Sequence, residues 1–272
     1  MKLFFAGGFN KSGTTYLQML LDSHPAINCP SEQHLNTLID GLKELGKKYD
    51  STTRVIDNAT ARQGTRFNYN AFVNNTLKSM LSTLASSGAN AETQYIGIQD
   101  NSILDRFEYW NKLMPDSPHI FIVRDPRAVC YSIWKHRLRT EPSFAEANSP
   151  LEPMMELMAK VDWPRHCRRL QGLKEIAPEK VHIVRYEDLA GEHADEWLAE
   201  IFDFLKVPHS NAEIDEILIK NDFHTLQAQQ AKSGGQYMHS GVKQLWRKAA
   251  SEKILGFFEQ HCRQELDAWG YE

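Results

Sequence analysis

Residues 4–21, FFAGGFNKSGTTYLQMLL, join an apolar run to a glycine-containing turn and then to an amphipathic segment. The apolar run predicts a buried strand. Leu17, Leu20 and Leu21 fall on one face of a helix, and Pro25 predicts where that helix ends. Backbone N–H groups at the start of such a helix can bind an anion. The segment therefore predicts a strand, a turn that binds an anion, and a helix.

Three further apolar runs are separated by helical patterns. Strands are predicted over 2–7, 94–98, 119–124 and 181–187, and their continuous apolarity predicts burial on both faces. This alternation predicts a single α/β domain, residues 1–272, with a central, mainly parallel β-sheet flanked by helices. The loops after residues 7, 98, 124 and 187 should then face one site, because ligands bind beyond the carboxyl ends of such strands.

Two segments lack clear periodicity. Residues 140–153 contain three prolines and are predicted to form a surface loop or lid. Residues 228–244 are rich in glutamine and contain two adjacent glycines, which predicts a second loop. We find no repeat or linker that would divide the chain.

Charge and cysteine usage exclude several classes of protein. The net charge is −4, so no overall basic surface indicates a nucleic-acid partner. The four cysteines form no closely spaced pair and are expected to be free thiols. No stretch approaches the roughly 20 apolar residues of a membrane span, and the amino terminus lacks a signal-peptide pattern. We expect a soluble, cytoplasmic protein; a homodimer is one quaternary state left open.

The turn after the first strand has the glycine spacing of a Walker phosphate loop but not its lysine. Gly8 and Gly13 are spaced as in that loop, whereas Thr14 stands where lysine is required. The lysine is Lys11, inside the turn. We expect the N–H groups around residues 12–15 to hold an oxyanion, with Lys11 at its rim near a transferring group.

A second anion site is predicted at the end of the third strand, in HIFIVRDPRAVCYSIW. Asp125 and Pro126 turn the chain, and proline suits the first position of a helix. Arg124 at the strand end and Ser132 in the helix can hold one tetrahedral anion. An ion pair between Arg124 and an aspartate, with Ser132 as a capping residue, is the alternative. Arg127 is interpreted as a solvated arginine at the helix start.

The stretch NKSGTTYL resembles the 5′-phosphosulfate loop of sulfotransferases that use 3′-phosphoadenosine 5′-phosphosulfate (PAPS). The resemblance implies a P-loop-NTPase-like fold and no metal. It places Lys11 at the bridging oxygen, and it implies that backbone and hydroxyl groups of the loop bind the 5′-phosphosulfate, namely those of Lys11, Ser12, Gly13, Thr14 and Thr15. In the same family a segment like the second one binds the 3′-phosphate through an arginine and a serine, here Arg124 and Ser132.

The segment HPAINCPSEQHL resembles the glycosaminoglycan-type branch of this family. The resemblance implies that Glu32 is the general base and that His34 helps to orient the site. The branch that acts on phenols and steroids uses a histidine after the second strand. Here that position lies in GIQDNS, where Asp100 is the secondary candidate.

The remaining family contacts match less closely. Tyr186 in VRYEDL and Phe223 in NDFHTLQ resemble residues beside adenine, with core packing as the alternative for both. The stretch MHSGVKQLWRK resembles the loop that closes over the 3′-phosphate, but His239 and Ser240 replace its arginine and lysine. Gly241 and Trp246 fit, and three residues are candidates for the missing contact: Ser240, Lys243 and Arg247.

The resemblance implies in-line transfer of a sulfuryl group from PAPS to a hydroxyl or amine, releasing adenosine 3′,5′-bisphosphate (PAP). A small molecule or a glycan is the expected acceptor, and a lipid headgroup and a peptide tyrosine also stay open. One alternative is a P-loop small-molecule kinase with Asp125 on Mg²⁺, which the absence of lysine at position 14 argues against. The other is a non-catalytic nucleotide-binding protein of the same fold.

Overall fold

The structure is a computed structural model that describes residues 1–60, 68–86, 88–222, 225–226 and 245–271. Within these residues, five parallel strands form one sheet in the order β2-β3-β1-β4-β5. The strands are β1 (Lys2–Gly8), β2 (Ile27–Asn28), β3 (Tyr95–Gln99), β4 (His119–Val123) and β5 (Val181–Arg185). The four predicted strands are confirmed. β2 escaped prediction because two residues are too few to form a pattern.

Helices cover both faces of the sheet. They are α1 (Thr14–Asp22), α2 (Leu35–Thr60), α3 (Tyr69–Ser86), α4 (Phe107–Leu113), α5 (Pro126–Thr140), α6 (Pro142–Glu146), α7 (Glu152–Leu157), α8 (Trp163–Ile176), α9 (Tyr186–Leu189), α10 (Ala194–Leu205), α11 (Asn211–Lys220), α12 (Trp246–Ala249), α13 (Glu252–His261) and α14 (Arg263–Ala268). A 3₁₀ helix, Asn101–Arg106, follows β3, and a π-helical turn, Met158–Asp162, joins α7 to α8.

Each face of the sheet packs on its own hydrophobic core, because successive side chains of a strand point to opposite faces. Phe5 of β1 lies in the core that includes Trp110 and residues of α5 and α8. Its neighbours Phe4 and Ala6 lie in the other core, with α1, α10 and α11. Both faces of the central strand are therefore buried, as the continuous apolar run predicts.

The segment 140–153 is not the irregular loop that its prolines suggested. It contains all of α6 and the start of α7, and each of these helices has a proline in its first turn, Pro142 and Pro153. Proline is well accepted there because the first N–H groups of a helix have no intrahelical partner. The predicted loop 228–244 lies outside the described residues. None of the described helices is both long enough and apolar enough to cross a membrane.

Candidate active site

The carboxyl ends of β1 and β4 form a crevice, because the helices that follow them leave toward opposite faces. α1 packs in one core through Leu17, and α5 packs in the other through Val129. Such a point is where open α/β sheets bind ligands. Across the crevice, Nη1 of Arg124 donates a hydrogen bond to the backbone oxygen of Lys11 at 3.2 Å. The two predicted anion sites therefore lie side by side, as expected for one site.

Glycine is required where the loop after β1 passes its neighbours. A Cβ on Gly8 would lie 2.5 Å from the Ile122 oxygen of β4. A Cβ on Gly13 would lie 2.4 Å from Cδ2 of Tyr186, and Gly13 also has φ 102°. Lys11 has φ 66°, in the left-handed region that most residues other than glycine avoid. The loop is therefore held in one shape by its contacts with β4 and α9.

We expect Gly13→Ala to lower the free energy of unfolding by about 1–3 kcal/mol, because the new Cβ overlaps Tyr186 and φ stays positive. Urea denaturation measures this change. Gly172→Ala is the matched control: it lies inside α8, and nothing stands within 4 Å of its added Cβ. The control should leave stability unchanged or raise it. Equal midpoints for the two variants would contradict this account of the loop.

Ser12 differs from its predicted role. Its hydroxyl donates to the backbone oxygens of Phe9 at 2.6 Å and Ile122 at 3.2 Å, and its amide donates to Phe9 at 3.0 Å. Ser12 is fully buried. In this conformation its polar groups hold the turn against β4, so the expectation that its hydroxyl faces the anion is not met.

The amino terminus of α1 is the other part of the loop region that is predicted to bind the anion. The first N–H groups of any α-helix lack intrahelical partners. Among the described residues, no side chain caps α1 at Gly13, and its first turn contains no acidic residue. Thr14 is buried and Thr15 is exposed at this end. N–H groups, the helix dipole and the threonine hydroxyls can together bind an oxyanion.

Arg124 is the residue predicted to bind the second anion. Its guanidinium lies 4.3 Å from the ring centre of Tyr186, which supports it from one side. Its Nε is buried and has no hydrogen-bond partner in the described part of the chain. Buried polar groups normally have partners, so an unpartnered guanidinium nitrogen suits a ligand site. Ser132 is half-buried on the following helix.

Arg127 is not the solvated arginine that the sequence indicated. It is buried, and its Nε and Nη2 donate to the carboxylate of Asp125 at 2.9 and 2.8 Å. Asp125 also accepts from the Arg127 amide at 2.9 Å and so caps α5. The alternative pair between Arg124 and an aspartate is therefore absent at Asp125. A carboxylate engaged in this way is poorly suited to the Mg²⁺ ligand of a kinase.

Lys11 and Glu32 are close enough to interact electrostatically. Burial lowers the pKa of Lys11, the positive charge of Arg139 lowers it further, and the Glu32 carboxylate acts in the opposite direction. Both Lys11 and Glu32 are half-buried. The backbone of the Glu32 loop is fixed to the sheet, since the Gln33 amide donates to the Gln99 oxygen at 3.0 Å.

The two other acid–base candidates differ from Glu32 in their surroundings. Asp100 is buried, and its carboxylate accepts from the Leu35 amide at 2.6 Å and from the amide and hydroxyl of Ser102 at 2.7 and 2.5 Å. These bonds cap the 3₁₀ helix and hold the start of α2, which is a structural use of the carboxylate. His34 is exposed and precedes α2 with φ 49°.

Residues 4–211 match a family model described as "Sulfotransferase family". The chain belongs to this family. Among its curated relatives, protein-tyrosine sulfotransferase 1 of Danio rerio is 25% identical over 213 residues, covering 78% of this chain and 55% of the relative. Protein-tyrosine sulfotransferase of Drosophila melanogaster is 26% identical over 217 residues, covering 78% and 39%. The chain thus spans about half the length of the curated relatives it matches, or less.

Solved structures agree on the fold. Mouse sulfotransferase SULT7A1 complexed with PAP has a TM-score of 0.64 at 16% identity, covering 97% of this chain and 84% of that one. The sulfotransferase domain of the Synechococcus PCC 7002 olefin synthase has a TM-score of 0.54 at 21% identity, covering 100% and 94%. This sulfotransferase-family protein therefore has the α/β fold that the sequence predicted, with helices on both faces of a parallel sheet.

The site of this sulfotransferase-family protein also contains residues that were not singled out from the sequence. The positive charge of Arg139 lowers the pKa of Lys11. Burial is the main cause that lowers the pKa of His136, and the charges of Lys11 and Arg139 lower it further. His136 and Arg139 follow Ser132 at helical spacing, so one face of α5 carries all three. That periodicity was a usable signal. Phe223, Ser240 and Gly241 lie outside the described residues, so their contacts stay predictions.

Glu187 holds the backbone next to Arg124, at the predicted second anion site. Its carboxylate accepts from the Asp125 amide and from the Tyr271 hydroxyl, each at 3.1 Å. Burial raises the pKa of Glu187 above its usual value despite these hydrogen bonds. The folded state therefore binds this proton more tightly than the unfolded state. The resulting stability is complete below the unfolded pKa and is lost as pH rises through the folded pKa.

Comparing Glu187→Gln with the unmodified protein tests this linkage. We expect the unmodified protein to lose stability relative to the variant as pH rises above about 4.3, the usual pKa of glutamate. The amide retains an acceptor for Asp125 but does not ionise. Urea denaturation at several pH values between 4 and 7 measures the difference. If the stability of both proteins changed with pH in the same way, Glu187 would make no pH-dependent contribution to stability.

Proposed function

We propose that this sulfotransferase-family protein transfers a sulfuryl group from PAPS to an acceptor hydroxyl or amine and releases PAP. The observation that carries the proposal is the 3.2 Å hydrogen bond from Arg124 to the Lys11 backbone. It brings two anion sites to neighbouring strand ends, where the two ends of one adenosine nucleotide can occupy them. A mononucleotide with phosphates at both its 3′ and 5′ positions fits two separate cradles better than a nucleoside triphosphate does.

The described residues divide between the two ends of the nucleotide. The amino terminus of α1, with Gly13, Thr14 and Thr15, would hold the 5′-phosphosulfate, and Ser12 would keep the turn in shape. Arg124 and Ser132 would hold the 3′-phosphate. Resemblance adds contacts to the rest of the nucleotide by Tyr186, Phe223, Ser240 and Gly241.

The transfer step needs a base and a group that stabilises negative charge. Glu32 would take the proton of the acceptor as the acceptor atom attacks sulfur in line, and the bond from sulfur to the 5′-phosphate oxygen would break. Lys11, beside Glu32, would stabilise the charge on the departing oxygen. His34 could orient this side of the site, whereas the hydrogen bonds of Asp100 favour a structural role.

The comparisons support this class of reaction and favour one of the acceptors that the sequence left open. The curated relatives are named as protein-tyrosine sulfotransferases, which adds support for a tyrosine hydroxyl beside the small molecules and glycans expected from the sequence. The mouse sulfotransferase was crystallised in complex with PAP, the product nucleotide proposed here. A homodimer and a cytoplasmic location stay predictions.

Calorimetry with two nucleotides tests the donor half of the proposal. We expect PAP to bind without added metal, Arg124→Ala to weaken that binding at least tenfold, and ATP with Mg²⁺ to bind far more weakly. Preference for ATP with Mg²⁺ would support a kinase instead.

A screen of acceptor pools with ³⁵S-labelled PAPS tests catalysis. Tight PAP binding without transfer to any acceptor would favour a non-catalytic nucleotide-binding protein.

A further inference from the structure

A cavity of about 430 Å³ opens beside the loop that precedes Lys11. Phe9 and Asn10 form one wall, and the 3₁₀ helix after β3 and the amino-terminal half of α8 form the others. Its volume lies in the range of small-molecule sites. Asn10, the last residue of the loop that lines the cavity, directly precedes Lys11 in the chain. The anion cradle of α1 and the Arg124 site do not line it, so the space is separate from the two proposed phosphate sites.

His166 of α8 lines this cavity and has an unused hydrogen-bonding atom. The residue is only 5% exposed, and its Nε2 is buried without a partner among the described residues. The ring stacks on Trp163 at 5.7 Å and meets the edge of Phe9 at 5.4 Å, so its orientation is fixed. Burial lowers the pKa of His166 to about 4, which leaves the ring neutral near pH 7. Because His166 also lines a cavity, its unpartnered Nε2 is available to bind a ligand there.

Each of the two arginines that line the cavity lies near a carboxylate. Arg169 forms an ion pair with Glu108 at 2.5 Å and also donates to the Leu104 oxygen at 3.2 Å. Arg165 and Asp162 lie 3.7 Å apart. These arginines are therefore neutralised locally, and the cavity has no marked excess of positive charge. An anionic acceptor would therefore gain little electrostatic attraction in this cavity.

The rest of the wall combines one aromatic ring with several hydrogen-bonding groups. Phe9 contributes the ring, and the Asn101 amide donates to the Asn10 side-chain oxygen at 3.3 Å. Asp105 adds an exposed carboxylate at the rim. The cavity has too few apolar side chains to bind a sterol. A sugar ring suits this surface, because it has C–H groups for the aromatic ring and hydroxyls for amide, carboxylate and imidazole groups.

We infer that this cavity binds the acceptor, that the acceptor is a neutral sugar, and that Nε2 of His166 hydrogen-bonds one of its hydroxyls. The inference rests on the proposed function and specifies the acceptor for the same reaction. A second hydroxyl of the sugar lies beyond Asn10, between Lys11 and Glu32. That hydroxyl gives its proton to Glu32, and its oxygen forms the new bond to sulfur as the bond from sulfur to the 5′-phosphate oxygen breaks. The products are the sulfate ester of the sugar and PAP. His166 is a binding residue and takes no part in the proton transfer.

His166→Phe tests the inference because it keeps an aromatic ring beside Trp163 and Phe9 but removes Nε2. With lactose and methyl β-D-glucopyranoside as probes and labelled PAPS as donor, we expect KM for the sugar to rise about tenfold or more. PAP affinity should stay within about twofold, since His166 lies outside both phosphate sites. His166→Gln places an amide near the position of Nε2 and should restore part of the loss. His119→Phe is the matched control, a buried histidine in the core rather than the cavity.

A second pair of variants covers the case in which His166→Phe fails to fold. Asp105→Ala removes an exposed carboxylate at the rim of the cavity, and because the side chain is exposed we expect the variant to fold. Asp116→Ala also removes an exposed carboxylate, but Asp116 precedes the amino end of β4, at the opposite end of the strands from the cavity. KM for the sugar probes should rise several-fold in the first variant and stay unchanged in the second.

The outcomes separate this inference from the proposed function. Transfer to a sugar, with the expected changes of KM, supports both. PAP binding with transfer only to phenol or to a tyrosine peptide overturns the sugar assignment and leaves the sulfotransferase reaction standing. A sugar KM unaffected by both His166→Phe and Asp105→Ala overturns the cavity assignment. Absence of PAP binding in the unmodified protein overturns the proposed function and this inference with it.

Discussion

Glu32→Gln is expected to lower kcat by about 10²- to 10⁴-fold, the usual contribution of a general base. Glutamine keeps the size of the side chain but cannot accept the proton of the acceptor. The loop that carries Glu32 is anchored by the hydrogen bond from Gln33 to Gln99, so the substitution should leave its backbone in place. Single-turnover transfer of ³⁵S from PAPS measures the chemical step directly. PAP affinity, measured by calorimetry, should stay within about twofold.

Gln33→Ala is the control for Glu32→Gln, because it changes the adjacent side chain and leaves both the carboxylate and the backbone hydrogen bond in place. It should retain most of kcat. If Glu32→Gln itself retains kcat, the assignment of the base is wrong. His34 would then be the next residue to replace, because the carboxylate of Asp100 is engaged by Leu35 and Ser102.

Lys11→Asn is expected to lower kcat by about 10²- to 10³-fold, comparable to the loss of one group that stabilises charge in the transition state. Asparagine is chosen because it tolerates the left-handed backbone, φ 66°, better than alanine does. The loss then reports on the ammonium rather than on the shape of the loop. Steady-state kinetics with labelled PAPS measure kcat, and calorimetry with PAP checks that the nucleotide site is intact.

The pH dependence of the reaction adds a second measure of Lys11. Burial and the positive charge of Arg139 lower the pKa of Lys11, so its ammonium is lost at a lower pH than that of an ordinary lysine, about 10.4. Activity should therefore fall at alkaline pH with an apparent pKa below that value, and Lys11→Asn should lack this decline. Arg139→Gln removes one of the two causes and should move the decline to higher pH.

Lys206→Asn is the matched control, since Lys206 also has a left-handed backbone, φ 60°, but lies at the end of α10 away from the site. It should keep kcat and the alkaline decline. A similar loss of activity in both lysine variants would indicate a general effect of the substitution. It would remove Lys11 from the proposed mechanism.

Elements that depend only on neighbouring residues could be predicted from the sequence. The apolar runs predicted β1, β3, β4 and β5, and the residues after β1 and β4 predicted two anion sites. Backbone N–H groups at a helix start are placed by local geometry, so spacing along the chain is enough to indicate them. The prolines of α6 and α7 were misleading, because proline both breaks a helix and begins one.

Roles that depend on distant partners could not be read in this way. Ser12 turns its hydroxyl to Ile122, Arg127 pairs with Asp125 beneath Trp246, and His166 meets Phe9 at a cavity wall. The residue type alone permits a solvated, buried or ligand-binding role in each case. The sequence alone thus determined the sheet and the family resemblance, and it predicted the two anion sites. Only packing decided which polar atoms have partners and which have none among the described residues, because burial and hydrogen-bond partners come from residues far apart in sequence.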